Sequence, residues 1–252
     1  MLPKRLDSLC WCLLFLFAFS SCGIEDYAFL YPVSGYIEVE LNSKATITLS
    51  LAEVSEYLTH FTLYYRIYIS AVPLQGRISQ GDLSTLNPSL DTDYRAIWPY
   101  TANADTTIST SVGSLFRNRS YQSLTVEGAD IENLLSPNSR NKTITLDFIQ
   151  VPGSIPVLII DDVSYNLRRS TGDGLFNPVP QDRYFINTPE LNTNANVSSG
   201  VNADVAALSG STADVRFTYV ALYIVATGTD ANFSPIYSAP TFIAILRLPE
   251  QE

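Results

Sequence analysis

The sequence predicts a mainly β chain folded as an antiparallel β-sandwich and elaborated by a long insertion with short helices. Three observations predict it. Apolar and polar residues alternate with period two in the blocks before the insertion, which is the pattern of strands with one wet face. A chain rich in Thr, Ser and Asn, with 15 Tyr and 12 Phe, favours strands and turns over helices. Two runs near the C-terminus are apolar on both faces, as strands in the middle of a sheet or under covering loops are.

The elements follow in order. Ile37, Val39 and Leu41 alternate with Glu38 and Glu40. Ala45, Ile47, Leu49 and Leu51 alternate with Thr46, Thr48 and Ser50, and Asn42-Ser43-Lys44 supplies a turn between the two strands. In residues 61–70, Phe61, Leu63, Tyr65, Ile67 and Ile69 share one face, with Thr62, Tyr64, Arg66 and Tyr68 on the other. Residues 217–226 and 242–246 are the two runs that are apolar on both sides.

Between these blocks, from about residue 72 to 212, Asn, Ser, Gly and Pro recur between short apolar pieces. Strands are expected there at 123–126, 143–149, 157–160, 163–167 and 184–187. Asp130 is placed to cap a short helix through Ile131, Leu134 and Leu135, and Asp82 to do the same for Leu83 and Leu86. Residues 192–214, rich in Asn, Ser, Gly and Ala, read as a long loop.

The segment Phe61, Leu63, Tyr65, Arg66 resembles the third strand of a fibronectin type III domain, in which an aromatic, an aliphatic and a Tyr-Arg pair follow in alternation. Residues 219–228, then Ser238-Ala239-Pro240 and a final apolar strand, resemble the last two strands of that domain and the Ser-x-Pro that joins them. The resemblance covers about 90 residues, split around the insertion, and implies a fibronectin type III-like sandwich.

The N-terminus carries an address. Lys4 and Arg5 precede an apolar run at residues 9–19 that is too short to cross a bilayer, for which roughly 20 apolar residues are needed. Ser20-Ser21-Cys22 then follows. A small-residue pair directly before a cysteine resembles the lipobox of bacterial lipoproteins, with Phe19 where leucine is commonest, as spirochaete-type lipoproteins tolerate. The resemblance implies cleavage before Cys22 and acylation of that cysteine. Residues 1–21 are then a signal peptide and 22–252 a single β-rich domain. Cys10 and Cys12 leave with the signal, so the mature chain forms no internal disulfide.

Loss of Lys4, Arg5 and Asp7 takes the formal charge from −10 to −11. That excess argues against nucleic acid, which needs clustered Lys and Arg. The basic neighbours Arg117 with Arg119, Arg140 with Lys142 and Arg168 with Arg169 are read as solvated faces.

Single residues narrow the chemistry. His60 is the only histidine, and it opens a strand beside Phe61, so it reads as structural or surface. No nucleophile-elbow, zincin, phosphate-loop or dinucleotide glycine pattern occurs. Zinc lacks ligands, and calcium lacks its loop, Asp91 with Asp93 and Asp161 with Asp162 being the nearest approaches. Asp161-Asp162 follows the run 155–160 at a strand end, where glycosidases place carboxylates, but reads first as a polar turn. Gly172-Asp173-Gly174 is a tight turn without the lysine that phosphate binding would want.

The expectation is therefore a non-enzymatic binding or adhesion module of the cell envelope, without cofactor or metal, held on a membrane through Cys22. Its partner would be an envelope or host protein or glycan. Trp98 and Tyr100, with Asp91, Asp93 and Tyr94 nearby on the insertion, are the expected contact residues, because exposed aromatics stack on sugars and anchor interfaces. A structural envelope lipoprotein and a carboxylate-dependent hydrolase are the alternatives.

Overall fold

The structure, a computed structural model, describes residues 30–40, 43–49, 56–70, 121–137, 142–149, 151, 154–170, 204–206 and 217–248. Cys22, Trp98, Tyr100, the signal segment, the Asp82 helix and the 184–187 strand lie outside the described residues, as do Asp91, Asp93, Tyr94 and Gly172 to Gly174.

Two antiparallel sheets form. The first begins with β1 (Gly35–Glu40) and β2 (Lys44–Leu49), paired from Gly35 opposite Leu49 to Glu40 opposite Lys44. Ser43 closes the turn by donating both its N–H and its hydroxyl to the Glu40 carbonyl. The sheet continues through β6 (Thr143–Asp147), β7 (Val157–Ile160) and β8 (Val163–Arg168) to β5 (Thr125–Val126). Strands from within the expected insertion are thus built into the sandwich itself, on the free side of β2.

The second sheet is centred on two long strands, β3 (Leu58–Ser70) and β10 (Phe217–Thr229), paired from Phe217 opposite Ser70 to Gly228 opposite Leu58. Beyond β10 lie β12 (Thr241–Arg247) and β11 (Pro235–Tyr237); beyond β3 lie β4 (Gln122–Ser123) and β9 (Val205–Ala206). Of these pairings only β9 with β3 is parallel.

Alternation decides which side chains meet. Ala45, Ile47 and Leu49 of β2, with Ile144 and Leu146 of β6, share one core with Phe61, Leu63 and Ile67 of β3 and Val220, Leu222 and Ile224 of β10. Burial of each Leu, Ile or Phe contributes about 1.5–3 kcal/mol. The other face of the first sheet is wet: Thr46 and Thr145 lie across from each other there and share a hydrogen bond. β10 differs, as its apolar pattern predicts, for Tyr219, Tyr223 and Val225 on its second face are buried as well. Tyr223 packs edge-on against both Tyr121 and Phe242, at centroid separations of 5.4 and 5.3 Å.

One helical turn, α1 (Ile131–Leu134), lies against the start of β3, and its Leu134 carbonyl accepts from Lys142, which precedes β6. Asp130 caps it by accepting from the Glu132 N–H, and the Leu135 carbonyl that follows accepts from the Phe61 N–H at the start of β3.

Candidate functional site

The most concentrated chemistry among the described residues is a buried cluster between the sheets. Tyr65 points inward from β3, Arg169 follows β8, and Asp204 immediately precedes β9. Asp204 has no solvent exposure and Arg169 is 5% exposed. The guanidinium meets the carboxylate as a fork, Nη2 to Oδ1 at 2.7 Å and Nε to Oδ2 at 2.8 Å. The Tyr65 hydroxyl donates to the same Oδ2 at 2.8 Å and accepts from the Ser170 N–H at 3.1 Å. The Asp204 carbonyl in turn accepts from the Ile67 N–H, which fixes β9 against β3.

Burial, then the Asp204 charge and the hydrogen bond to it, push the Tyr65 hydroxyl well above the ordinary tyrosine range, against smaller opposite pulls from the Ser170 N–H and Arg169. A phenol in that state holds its proton. The cluster therefore works as a clasp that ties the end of β8 to the edge of the second sheet. Arg169, expected on a solvated face, is corrected to a buried partner of Asp204, because the carboxylate that neutralises it arrives from a distant stretch that reads as loop.

Asp161 and Asp162 form the two-residue turn of the β7–β8 hairpin, with Ile160 opposite Val163. Both have left-handed backbones, φ 50° and 63°, as a primed hairpin turn requires. Asp161 Oδ2 lies 3.6 Å from Lys142 Nζ, and that ammonium also donates to the Leu134 carbonyl. His60 sits at the junction of β3 and α1, its Nδ1 3.0 Å from Thr59 Oγ1 and its Nε2 3.8 Å from Glu132 Oε1. On the β5–β8 edge, side-chain hydrogen bonds from Asn166 and Arg168 hold the Glu127 carboxyl below the usual carboxylate range. Among the described residues no three His, Cys, Asp or Glu side chains gather as metal ligands.

The second place of interest is the β10–β11 loop. Asp230 organises it: one carboxylate oxygen accepts from both the Asn232 and Ser234 N–H groups at 2.8 Å, while the Asp230 carbonyl accepts from the Phe233 N–H. This leaves Phe233 at the tip, 88% exposed and with φ 61°. Bulky residues rarely take that backbone.

Comparison with family models, curated proteins and solved structures finds no match to this chain.

Sequence patterning located β3, β10 and the Asp161-Asp162 turn, whose acids sit side by side at a hairpin tip. It missed the clasp and Phe233. The signal for Phe233 is present in hindsight: an aromatic follows Asp-Ala-Asn and precedes Ser-Pro, so a turn former stands on either side of it.

Proposed function

We propose that this protein is an exported bacterial lipoprotein, acylated on Cys22, whose β-sandwich serves as a binding module of the cell envelope. The observation that carries the reading is the order of the first residues. A basic pair, a short apolar run and Ser20-Ser21 lead directly into Cys22, with the described fold beginning eight residues later at Leu30.

The sandwich is read as fibronectin type III-like. Support comes from strand order: β3, β10 and β12 are adjacent as strands C, F and G of such sandwiches are, and β1, β2 and β6 are adjacent as A, B and E are. On that reading β7 and β8 extend the sheet beyond E. Ser238, in the Ser-Ala-Pro joint, is buried, and its hydroxyl accepts from the Ala226 N–H, so the joint also orders the exit from β10.

Binding is favoured over catalysis by the side-chain inventory. The one histidine is engaged at the β3–α1 junction, and the mature cysteine is committed to lipid. Trp98 and Tyr100, borne between β3 and β4, are the proposed contacts, since loops on a rigid sheet scaffold are where recognition residues concentrate.

The test is labelling of cells with a fatty-acid analogue. Wild type incorporates label, and Cys22→Ser incorporates none and keeps its signal segment. Equal labelling of the two would reject the anchor. For the contacts, Trp98→Ala with Tyr100→Ala should fold normally and lose retention of envelope or host ligands, and unchanged retention would reject that surface.

A further inference from the structure

Cys22 lies eight residues before Leu30, a distance the chain can span by at most roughly 28 Å. Where Leu30 sits therefore decides which end of the sandwich faces the bilayer. Leu30 is buried, and its side chain lies close to Gly228 at the exit of β10, two residues before the Asp230 loop. The first sheet presents its Gly35 and Leu49 ends here too. The Leu49 N–H donates to the Lys142 carbonyl, and Lys142 reaches both α1 and Asp161. The tether, the β10–β11 loop and the β7–β8 turn thus share one end of the molecule.

Exposed apolar side chains gather at that end. Among the described residues five large hydrophobic side chains are exposed, and Tyr31, Tyr36, Val163 and Phe233 all belong to the tether end; Val151, beyond the far end of β6, is the exception. Scattered exposed hydrophobics need no explanation, but this concentration beside the tether does.

We infer that the β10–β11 loop inserts Phe233 into the interface of the same bilayer that holds the Cys22 acyl chains, standing the sandwich end-on with its far end outward. The inference rests on the lipid-anchor reading. Phe233 has the right construction: an aromatic at a hairpin tip, held outward by a loop in which the Asn232, Phe233 and Ser234 N–H groups are taken by Asp230 and so need no water when the tip is dehydrated. The tether supplies the encounter, because a second contact made by an already anchored protein is intramolecular. The carboxylates of Asp161, Asp162 and Asp230 at this end select zwitterionic over anionic lipid. A second contact also gives the acyl anchor an orientation it lacks alone.

The experiment uses the full acylated protein in phosphatidylcholine vesicles, with the acyl mass on Cys22 recorded first. Phe233→Trp introduces an indole whose emission should shift to the blue and be quenched by bromine-labelled phosphatidylcholine, beyond any signal from Trp98 in wild type. Phe233→Gly relieves the left-handed backbone, so it should melt no lower than wild type, yet transfer between vesicles about tenfold faster, as loss of one buried aromatic implies. Adding anionic phosphatidylglycerol should weaken the quenching. An acylated, vesicle-bound Phe233→Trp protein whose added indole stays water-exposed would overturn the insertion and leave the anchor standing. A blue shift without bromine quenching would place the indole against protein, its own chain or a second copy, and overturn the insertion equally. Absence of acyl mass on Cys22 would overturn the anchor, and the insertion with it.

Discussion

Arg169 lays its guanidinium along both carboxylate oxygens of Asp204, at 2.7 and 2.8 Å, and so joins the strand end of one sheet to the edge of the other. Tyr65 closes the group from the core side. Such a pair is costly to break from one side, because the remaining charge stays buried without its partner. Asp204→Asn or Arg169→Met alone should lower the unfolding free energy by about 3–5 kcal/mol in urea titrations. Replacing both by apolar residues should cost much less than the sum of the two. Additive losses would mean that the charges do not depend on one another.

The same cluster sets an alkaline limit. Tyr65 keeps its proton in the folded protein well above the ordinary tyrosine pKa, while in the unfolded chain it ionises near about 10. Below that pH both states hold the proton and the group adds no pH dependence. Above it the unfolded chain binds one proton fewer, so stability falls by about 1.4 kcal/mol per pH unit from this residue. Tyr65→Phe should lose stability at neutral pH through the missing hydrogen bond, yet show a shallower decline between pH 10 and 11 in matched urea titrations. Parallel declines would show that Tyr65 titrates normally.

Gly228 is required by close approach. A Cβ there would overlap the Tyr57 carbonyl oxygen, which already accepts from the Thr229 N–H at 3.1 Å. Gly228→Ala should cost about 1–3 kcal/mol by forcing the ends of β3 and β10 apart, read as a fall in melting temperature. A neutral substitution would mean that the Tyr57 segment moves freely.

The Asp161-Asp162 turn is under the opposite constraint. Its two left-handed residues suit Asn-Gly better than Asp-Asp, so Asp161→Asn with Asp162→Gly should raise the melting temperature slightly. Lys142 stays hydrogen-bonded to Leu134, and its pair with the exposed Asp161, at 3.6 Å, contributes at most about 1 kcal/mol. A lowered melting temperature would indicate that the pair outweighs the backbone preference.

How much of this was legible depended on range. Phe61, Leu63, Tyr65 and Ile67 announce their face through period two alone, and Asp130 announces α1 through the residues it precedes. Residues 143–147, 157–160 and 163–168 were recognisable as strands, but nothing in their pattern says that they extend β2 rather than stand apart, because pairing partners distant in sequence leave no local mark. Arg169 looked solvated for the same reason: its partner, Asp204, sits in a stretch of Asn, Ser, Gly and Ala that offers no period. Phe233 escaped notice because a lone aromatic between turn residues has the same local pattern whether it faces inward or outward.

The proposed anchor hangs the folded domain from lipid on Cys22. Its most direct test is the mass of the N-terminal peptide of the protein extracted from membranes. An anchored protein yields a peptide that begins at Cys22 and carries diacylglyceryl on its sulfur. A peptide that begins elsewhere, or that carries an unmodified Cys22, would contradict it.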